Sequence, residues 1–369
     1  DAVCSSIEDY QQMFSEAPLM SDFLKQKIKE RTDRAAVTQT NMQTGSNVVA
    51  IDSSSTKLSV PIAKAFNIKS EKLFTTVSKS MGKKDPIEID ILPDNEFKDM
   101  VPQIHDEHIW DIDLLKNILL GIELNMPTLL WGHAGTGKTE SYEQIAARTN
   151  RPFIRVQHTI NTEESHILGQ WTVKDGETIF ELGPMPLAMK HGWTYLADEY
   201  DFAFPSILSV YQPVMEGKAL LIKEADAANR IIEPHPDFRF CATGNTNGTG
   251  DESGLYSGTN IQNAANYSRF GVTHKAEYLP KQQEQVILVK KGIVNKDDAK
   301  LLVDFATDLR NAFERKEMGA TIGPRELINA AKIGSRFADM RHGLHTAFMN
   351  RLSLVDFEKA DQIAQRHFG

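Results

Sequence analysis

Residues 128–139 read Thr-Leu-Leu-Trp-Gly-His-Ala-Gly-Thr-Gly-Lys-Thr. Thr128–Trp131 predicts a short buried strand, and Lys138–Thr149 a helix. Between them the chain runs Gly132, His133, Ala134, Gly135, Thr136, Gly137, Lys138, Thr139. Glycines let the backbone curl until several N–H groups point inward, an arrangement that suits phosphate oxygens. Lys138 supplies positive charge for the outer phosphates, and the Thr139 hydroxyl supplies a ligand for Mg2+. The helix start adds the positive end of its dipole. The competing reading is a tight glycine turn; the strand–loop–helix context favours a site for ATP and Mg2+.

Two further strand ends extend this site. Trp193–Ala197 is an apolar run that delivers Asp198 and Glu199. On a strand their side chains point to opposite sides, so they can hold different roles. Asp198 is expected to hold Mg2+ through its water shell, and Glu199 to orient and deprotonate the attacking water. A surface Asp-Glu pair is the plainer alternative. The strand Phe238–Thr243 runs into Gly244-Asn245-Thr246-Asn247-Gly248. Asn245 then reaches the γ-phosphate or the water from the carboxyl end of the strand, where α/β sheets place ligands. Asn and Gly also build turns unaided, and Asn247 is the weaker candidate.

Alternating helices and short strands predict an α/β fold with a parallel sheet. Asp111–Leu124 reads as a helix capped by Asp111 or Asp113. Phe153–Gln157 and Val272–Tyr278 complete the strands. Beyond Pro280 the pattern is helical, near Lys281–Lys291, Asp297–Glu317, Pro324–Phe337 and His342–Leu354. The expected division is an accessory region over 1–103, an α/β nucleotide-binding domain over 104–280 and a small helical lid over 281–369. Trp171–Leu182 alternates around Asp175-Gly176, a hairpin signal, and interrupts the helix Glu163–Gly169. A second hairpin is expected between Lys218–Lys223 and Arg230–Glu233. In the accessory region, residues 8–31 suit amphipathic helices, and residues 38–56 have the composition of a linker.

The chain has 369 residues, with 41 Lys+Arg against 50 Asp+Glu and a formal charge of -9. That balance argues against a protein whose main task is to coat nucleic acid. Seven lysines and one acid fill residues 57–84, and ten acids and one lysine fill 85–113. The blocks suit pairing with each other or with a neighbouring subunit, or two solvated faces. No apolar run is long enough to cross a bilayer and no signal peptide is evident, although the chain begins at Asp1. Cys4 and Cys241 are the only cysteines, as in a reducing, cytoplasmic setting. His105 and His108 stand at metal-ligand spacing without an evident third ligand. His342 and His345 read as lid surface.

These motifs together resemble the AAA+ ATPases, and within them the MoxR branch with the small ATPase subunits of aerobic cobaltochelatases. Asp198-Glu199-Tyr200-Asp201 with Pro205, the run Arg230–Pro236, the run Phe238–Asp251 and Gly254–Thr259 carry the likeness, which covers Ile104 onward. The resemblance implies a P-loop sheet core with a helix-two insert, a hairpin before the sensor strand, and a helical lid. It implies a homo-oligomeric ring, a hexamer, with hairpins facing the pore, where solvent-exposed hairpins are the plainer reading. Arg269 matches the arginine finger that reaches a neighbour's ATP; Ser268 stands before it where Asp is usual. Arg325 matches the lid's sensor arginine, with Gly323 in place of the commoner Ser. The implied partner is a protein client or a von Willebrand A domain protein, and the implied assembly inserts a metal into a tetrapyrrole.

The principal expectation is thus a Mg-dependent ATP hydrolase that remodels a protein partner. The alternative is a nucleic-acid motor or helicase-loader-like ATPase, since such motors also use a Ser-Arg-Phe finger. The acidic balance opposes it and the Lys57–Lys84 block favours it. A scaffold that binds ATP without hydrolysis is opposed by the Asp198-Glu199 pair. No arrangement suggests a nucleophilic hydrolase.

Overall fold

The computed structural model describes residues 57–69, 75–77, 84–251, 254–292 and 294–369. The readings of residues 8–31 and 38–56 lie outside these. Five strands form one sheet: β1 (Thr128–Trp131), β2 (Phe153–Gln157), β3 (Thr194–Asp198), β4 (Arg239–Gly244) and β5 (Val272–Lys275). Their spatial order is β5-β1-β4-β3-β2, with every neighbouring pair parallel. β3 and β4 are buried along their whole length, as a sheet covered on both faces requires. Because β4 lies between β1 and β3, the chain reverses its winding there, and such a switch point opens a crevice at the strands' carboxyl ends. Gly244 pairs with Trp131 and Ala242 with Ala197, so the three strands finish at one edge.

Helix α1 (Ile112–Glu123) is capped by Asp111, whose side chain accepts from the amides of Asp113 at 3.0 Å and Leu114 at 3.1 Å. Asp113 sits in the first turn, where its charge complements the helix dipole. Leu114, Leu115, Ile118 and Ile122 face inward, the i, i+3/i+4 spacing of a half-buried helix. Helix α2 (Lys138–Arg148) starts directly at the end of the glycine loop.

Before α1, Leu58–Pro61 pairs antiparallel with Glu88–Ile91, and Thr75–Val77 with Lys84–Pro86. The charge pattern gave no sign of these strands. Ile62, Phe66 and Ile89 pack in one apolar cluster with Leu115, Ile118, Tyr142 and Leu196, which therefore spans both sides of residue 103. Lys57 pairs with Asp237 at 2.5 Å, an acid outside the block of opposite charge.

The first expected hairpin forms between Gly169–Lys174 and Glu177–Leu182, turning at Asp175 and Gly176, both with positive φ. It follows the short helix Glu164–Leu168. Gly169 makes the junction: its φ is 121°, and a Cβ there would lie 2.1 Å from Glu181 O. The second hairpin is minimal, Leu220–Leu221 against Ile231–Ile232.

After β5 the chain is helical: α3 (Lys281–Gly292), α4 (Lys296–Glu314), α5 (Pro324–Phe337), α6 (Met340–Ala347) and α7 (Leu354–Phe368). Two expectations are corrected here. The strand from Val272 stops at Lys275, although the Ala276 amide still reaches Trp131 O at 2.7 Å. The helix read as His342–Leu354 ends at Ala347, and Ser353 caps a further helix that the apolar pattern did not disclose. Its signature is local: the Ser353 hydroxyl accepts from the Asp356 amide at 3.2 Å, the spacing of a capping box.

The helical region after β5 has its own apolar core and a buried ion pair. Arg310 grips Glu284 with both arms, at 2.8 and 3.0 Å, donates to Ile322 O at 3.0 Å, and lies over the Tyr278 ring at 3.7 Å. Removing one partner of such a pair leaves a buried charge uncompensated. Arg310→Met should therefore cost about 3–5 kcal/mol in a denaturant titration. Ile261→Ser, at a side chain 73% exposed, should change stability by less than about 0.5 kcal/mol.

Candidate nucleotide-binding site

A cavity of about 590 Å³ opens at the carboxyl edge of the sheet, between the glycine loop, β2, β3, β4 and the first residues of α5. Gly135, Gly137 and Gly132 all have positive φ. At Gly132 a Cβ would fall 2.3 Å from Ala276 O, so glycine is required there. Lys138 folds back over the loop, its Nζ donating to Gly132 O at 2.6 Å and His133 O at 2.9 Å. Burial pushes its ammonium down to about 8, against the pull of Asp201, Asp198 and Glu199, while Arg325 adds to the push.

The loop's own side chains divide. Gly135 to Thr139 line the cavity with Ala134. His133 does not: its ring stacks on Tyr278 at 5.9 Å, meets Phe313 edge-on and bonds Tyr256 Oη at 3.1 Å. Its carbonyl accepts from Lys138 Nζ at 2.9 Å. Tyr256, which sequence reasoning left without a role, also accepts from the Ala134 amide at 2.9 Å. Its trace was the quoted string Gly254–Thr259.

Asp198 ends β3, and its carboxylate is buried. Its Oδ1 accepts the hydroxyls of Thr139, at 2.9 Å, and Thr243. Its Oδ2 accepts Arg155 Nε at 2.6 Å. Glu199 departs from expectation. It is no longer part of the strand, its φ is 53°, and its amide donates to Thr243 Oγ1 at 3.0 Å. This left-handed residue breaks the strand alternation, so both acids line the same cavity instead of opposite faces. Gln157, two residues beyond Arg155 on β2, donates to Glu199 Oε2 at 2.7 Å.

Asn245 lines the cavity just past β4, whereas Asn247 is exposed and closes a turn on Thr249. The residue that fixes Asn245 is Asp201, another that sequence reasoning missed. Its Oδ2 accepts the Asn245 and Thr246 amides at 2.9 and 2.8 Å and the Thr246 hydroxyl at 2.9 Å. Burial raises its pKa against these bonds. Arg325 enters the cavity from the start of α5, where Pro324 lies against Gly135. Arg269 stands apart from the residues that line the cavity; its Nε pairs with Glu216 at 2.8 Å.

His105 and His108 approach one carboxylate oxygen of Glu140, at 3.7 and 3.6 Å, which Lys291 also reaches at 3.2 Å. This grouping holds Glu140 down to about 2, His108 first. Among the described residues no group of His, Cys, Asp or Glu is set to hold a metal ion by itself, and no helix is long and apolar enough to cross a membrane.

Residues 127–270 match the family model of the AAA domain (dynein-related subfamily), and residues 284–365 that of the CbbQ/NirQ/NorQ C-terminal region. The aerobic cobaltochelatase subunit CobS of a Sinorhizobium species is 32% identical over 280 residues, covering 73% of this chain and 83% of that protein. The chain belongs to the AAA+ ATPases of the MoxR type. Protein NorQ of Paracoccus denitrificans is 23% identical over 229 residues, covering 62% of this chain and 81% of the relative. Von Willebrand factor A domain-containing protein 8 of Mus musculus is 27% identical over 243 residues, 61% of this chain but 12% of its own length. Membership of this family implies nucleotide binding.

The lysine's depressed pKa gives ATP binding a pH signature. Phosphates bound at Lys138 would favour the ammonium and raise its pKa, so the lysine's contribution to affinity should be level below about pH 8. Above that pH the free protein has lost the proton that the complex needs, and affinity should weaken by at most about tenfold per pH unit. Fluorescence titration across pH checks this. Lys138→Arg, charged throughout, should lose the alkaline limb.

Proposed function

We propose that this AAA+ ATPase forms a hexameric ring and hydrolyses ATP in a Mg-dependent reaction to remodel a protein partner. The observation that carries the hydrolytic reading is the gathering of Thr139, Asp198, Glu199 and Asn245 around one cavity. Thr139 Oγ1 and Asp198 Oδ1, 2.9 Å apart, are oxygen donors of the kind a hard divalent cation takes. They fit as holders of Mg2+, Asp198 through water. Mg2+ would supply charge neutralisation to the outer phosphates.

The chain's own residues do the rest. The loop amides from Gly135 to Thr139 bind phosphate oxygens. Lys138 leaves the Gly132 and His133 carbonyls for the outer phosphates. Glu199, released by Gln157, accepts the proton of the attacking water at its carboxylate, and Asn245 orients that water or the γ-phosphate. Arg325 answers the phosphates from the lid in the same chain. Arg269 serves the neighbour's site; what supports this is its position outside its own cavity and its pairing with Glu216, close before the second hairpin. Its charge would meet the transition state only in an assembled ring.

Residues 1–103 act as an accessory region, 104–280 as the motor and 281–369 as the lid. The partner we assign is a cytoplasmic protein bearing a von Willebrand A domain, in a chelatase-like complex. CobS is named as a cobaltochelatase subunit, and a second relative is named for that domain.

Glu199→Gln should retain ATP binding and lower turnover by about 10²–10⁴. Turnover equal to wild type would overturn the assignment of Glu199. Mixed rings of Arg269→Ala and Lys138→Ala chains should regain activity at interfaces that pair an intact finger with an intact loop. Co-assembled rings with no recovery would remove the finger in trans. Glu199→Gln held on ATP, used as bait, should capture a von Willebrand A domain protein; capture of a DNA-bound assembly with a steep salt dependence would favour a nucleic-acid motor instead.

A further inference from the structure

Arg155 occupies an unexpected place for a residue of β2. Its Nε donates to Asp198 Oδ2 at 2.6 Å, and a terminal amine lies 2.5 Å from the same oxygen. The other oxygen carries the hydroxyls of Thr139 and Thr243. The acceptor capacity of the carboxylate is thus taken up. The two partners differ in exposure: the Arg155 side chain is 46% exposed and lines the cavity, while that of Asp198 is 3% exposed. The guanidinium can therefore leave, and the carboxylate cannot follow it.

We propose that Arg155 is a positioning residue that competes with Mg2+ for Asp198, so that cation entry and Arg155 release form one exchange. The proposal rests on the reading of Thr139 and Asp198 as the holders of the cation. The guanidinium on Oδ2 and a divalent cation held through water beside Oδ1 would repel each other across one carboxylate whose side chain is 3% exposed. A released guanidinium has a second acid within the cavity. Glu143 lines it from α2, one turn after Thr139. Burial raises the pKa of Glu143, and Arg155 is the foremost influence opposing that rise. A swing from Asp198 to Glu143 moves the positive charge from strand to helix as the cation arrives. Arg155 thus keeps Asp198 neutralised and ordered, and lowers its affinity for the cation in return.

The test compares two dissociation constants for a non-hydrolysable ATP analogue, one with Mg2+ and one with EDTA, by calorimetry on the full chain. Their ratio measures the contribution of Mg2+. In Arg155→Gln the cation no longer displaces a charged hydrogen-bonding partner, so the ratio should rise roughly tenfold above wild type. The Mg2+ concentration at half-maximal binding should fall by the same factor. Arg155→Lys keeps the charge without the planar fork and should fall between the two, which also preserves the test if the glutamine variant folds poorly. A merely structural role, or a direct contact with ATP, would move both constants together and leave the ratio unchanged; either result overturns the proposal. A wild-type ratio of one would overturn the cation site itself and Arg155's part with it.

Discussion

The buried carboxylate of Asp198 is the constraint around which the site is arranged. It draws hydroxyls from the phosphate-loop helix and from β4, and a guanidinium from β2. An ionised group this deep is tolerated only when it is fully hydrogen-bonded. Three separate elements must therefore hold their relative positions for Asp198 to keep its hydrogen-bond partners. The parallel sheet fixes the strands, with Gln157 in register with Asp198 and Arg239 to Ala242 alongside Thr194 to Ala197. Behind the strand end, His158 donates its amide to Asp198 O at 2.8 Å and bonds Tyr211 through Nε2 at 2.9 Å. Burial lowers that imidazole to about 4, so it stays neutral.

Three residues beyond Asp198, Asp201 performs a parallel task for the opposite wall. Its side chain holds Asn245 and Thr246, and its carbonyl accepts from the Asn260 amide at 2.8 Å. Gln262 reaches the same carbonyl and that of Ala203. The segment so anchored leads straight into the short helix Ala264–Tyr267 and to Arg269. A single turn after β3 thus secures both Asn245, which lines the cavity, and the approach to Arg269, which stands outside it.

Legibility in the sequence followed the range over which each feature is determined. Gly132 to Thr139 declared itself because loop curvature, charge and hydroxyl are all local properties. Thr128–Trp131 and Phe153–Gln157 were readable to their last residue, since Gly, Pro or polar residues bound them, and the start of Pro324–Phe337 was marked by its Gly-Pro step. Glu199 misled because its left-handed backbone is imposed by surroundings on a residue that does not advertise it. Arg155, Asp201 and Tyr256 went unread because their partners lie 43, 44 and 122 residues away. Nor could a pattern reveal that His133, inside the most recognisable motif, turns its ring toward the lid.

The grip of Arg310 on Glu284 gives the helical region after β5 the shape of a lever. It binds α3 to α4, ties both to the Ile322 carbonyl, and so stiffens the short path to Arg325. The nearer arm ends in the cavity at Arg325; the farther arm is α4, whose 19 residues extend about 28 Å. The fulcrum lies near the phosphate loop, where His133 stacks on Tyr278, the ring that the Arg310 guanidinium covers.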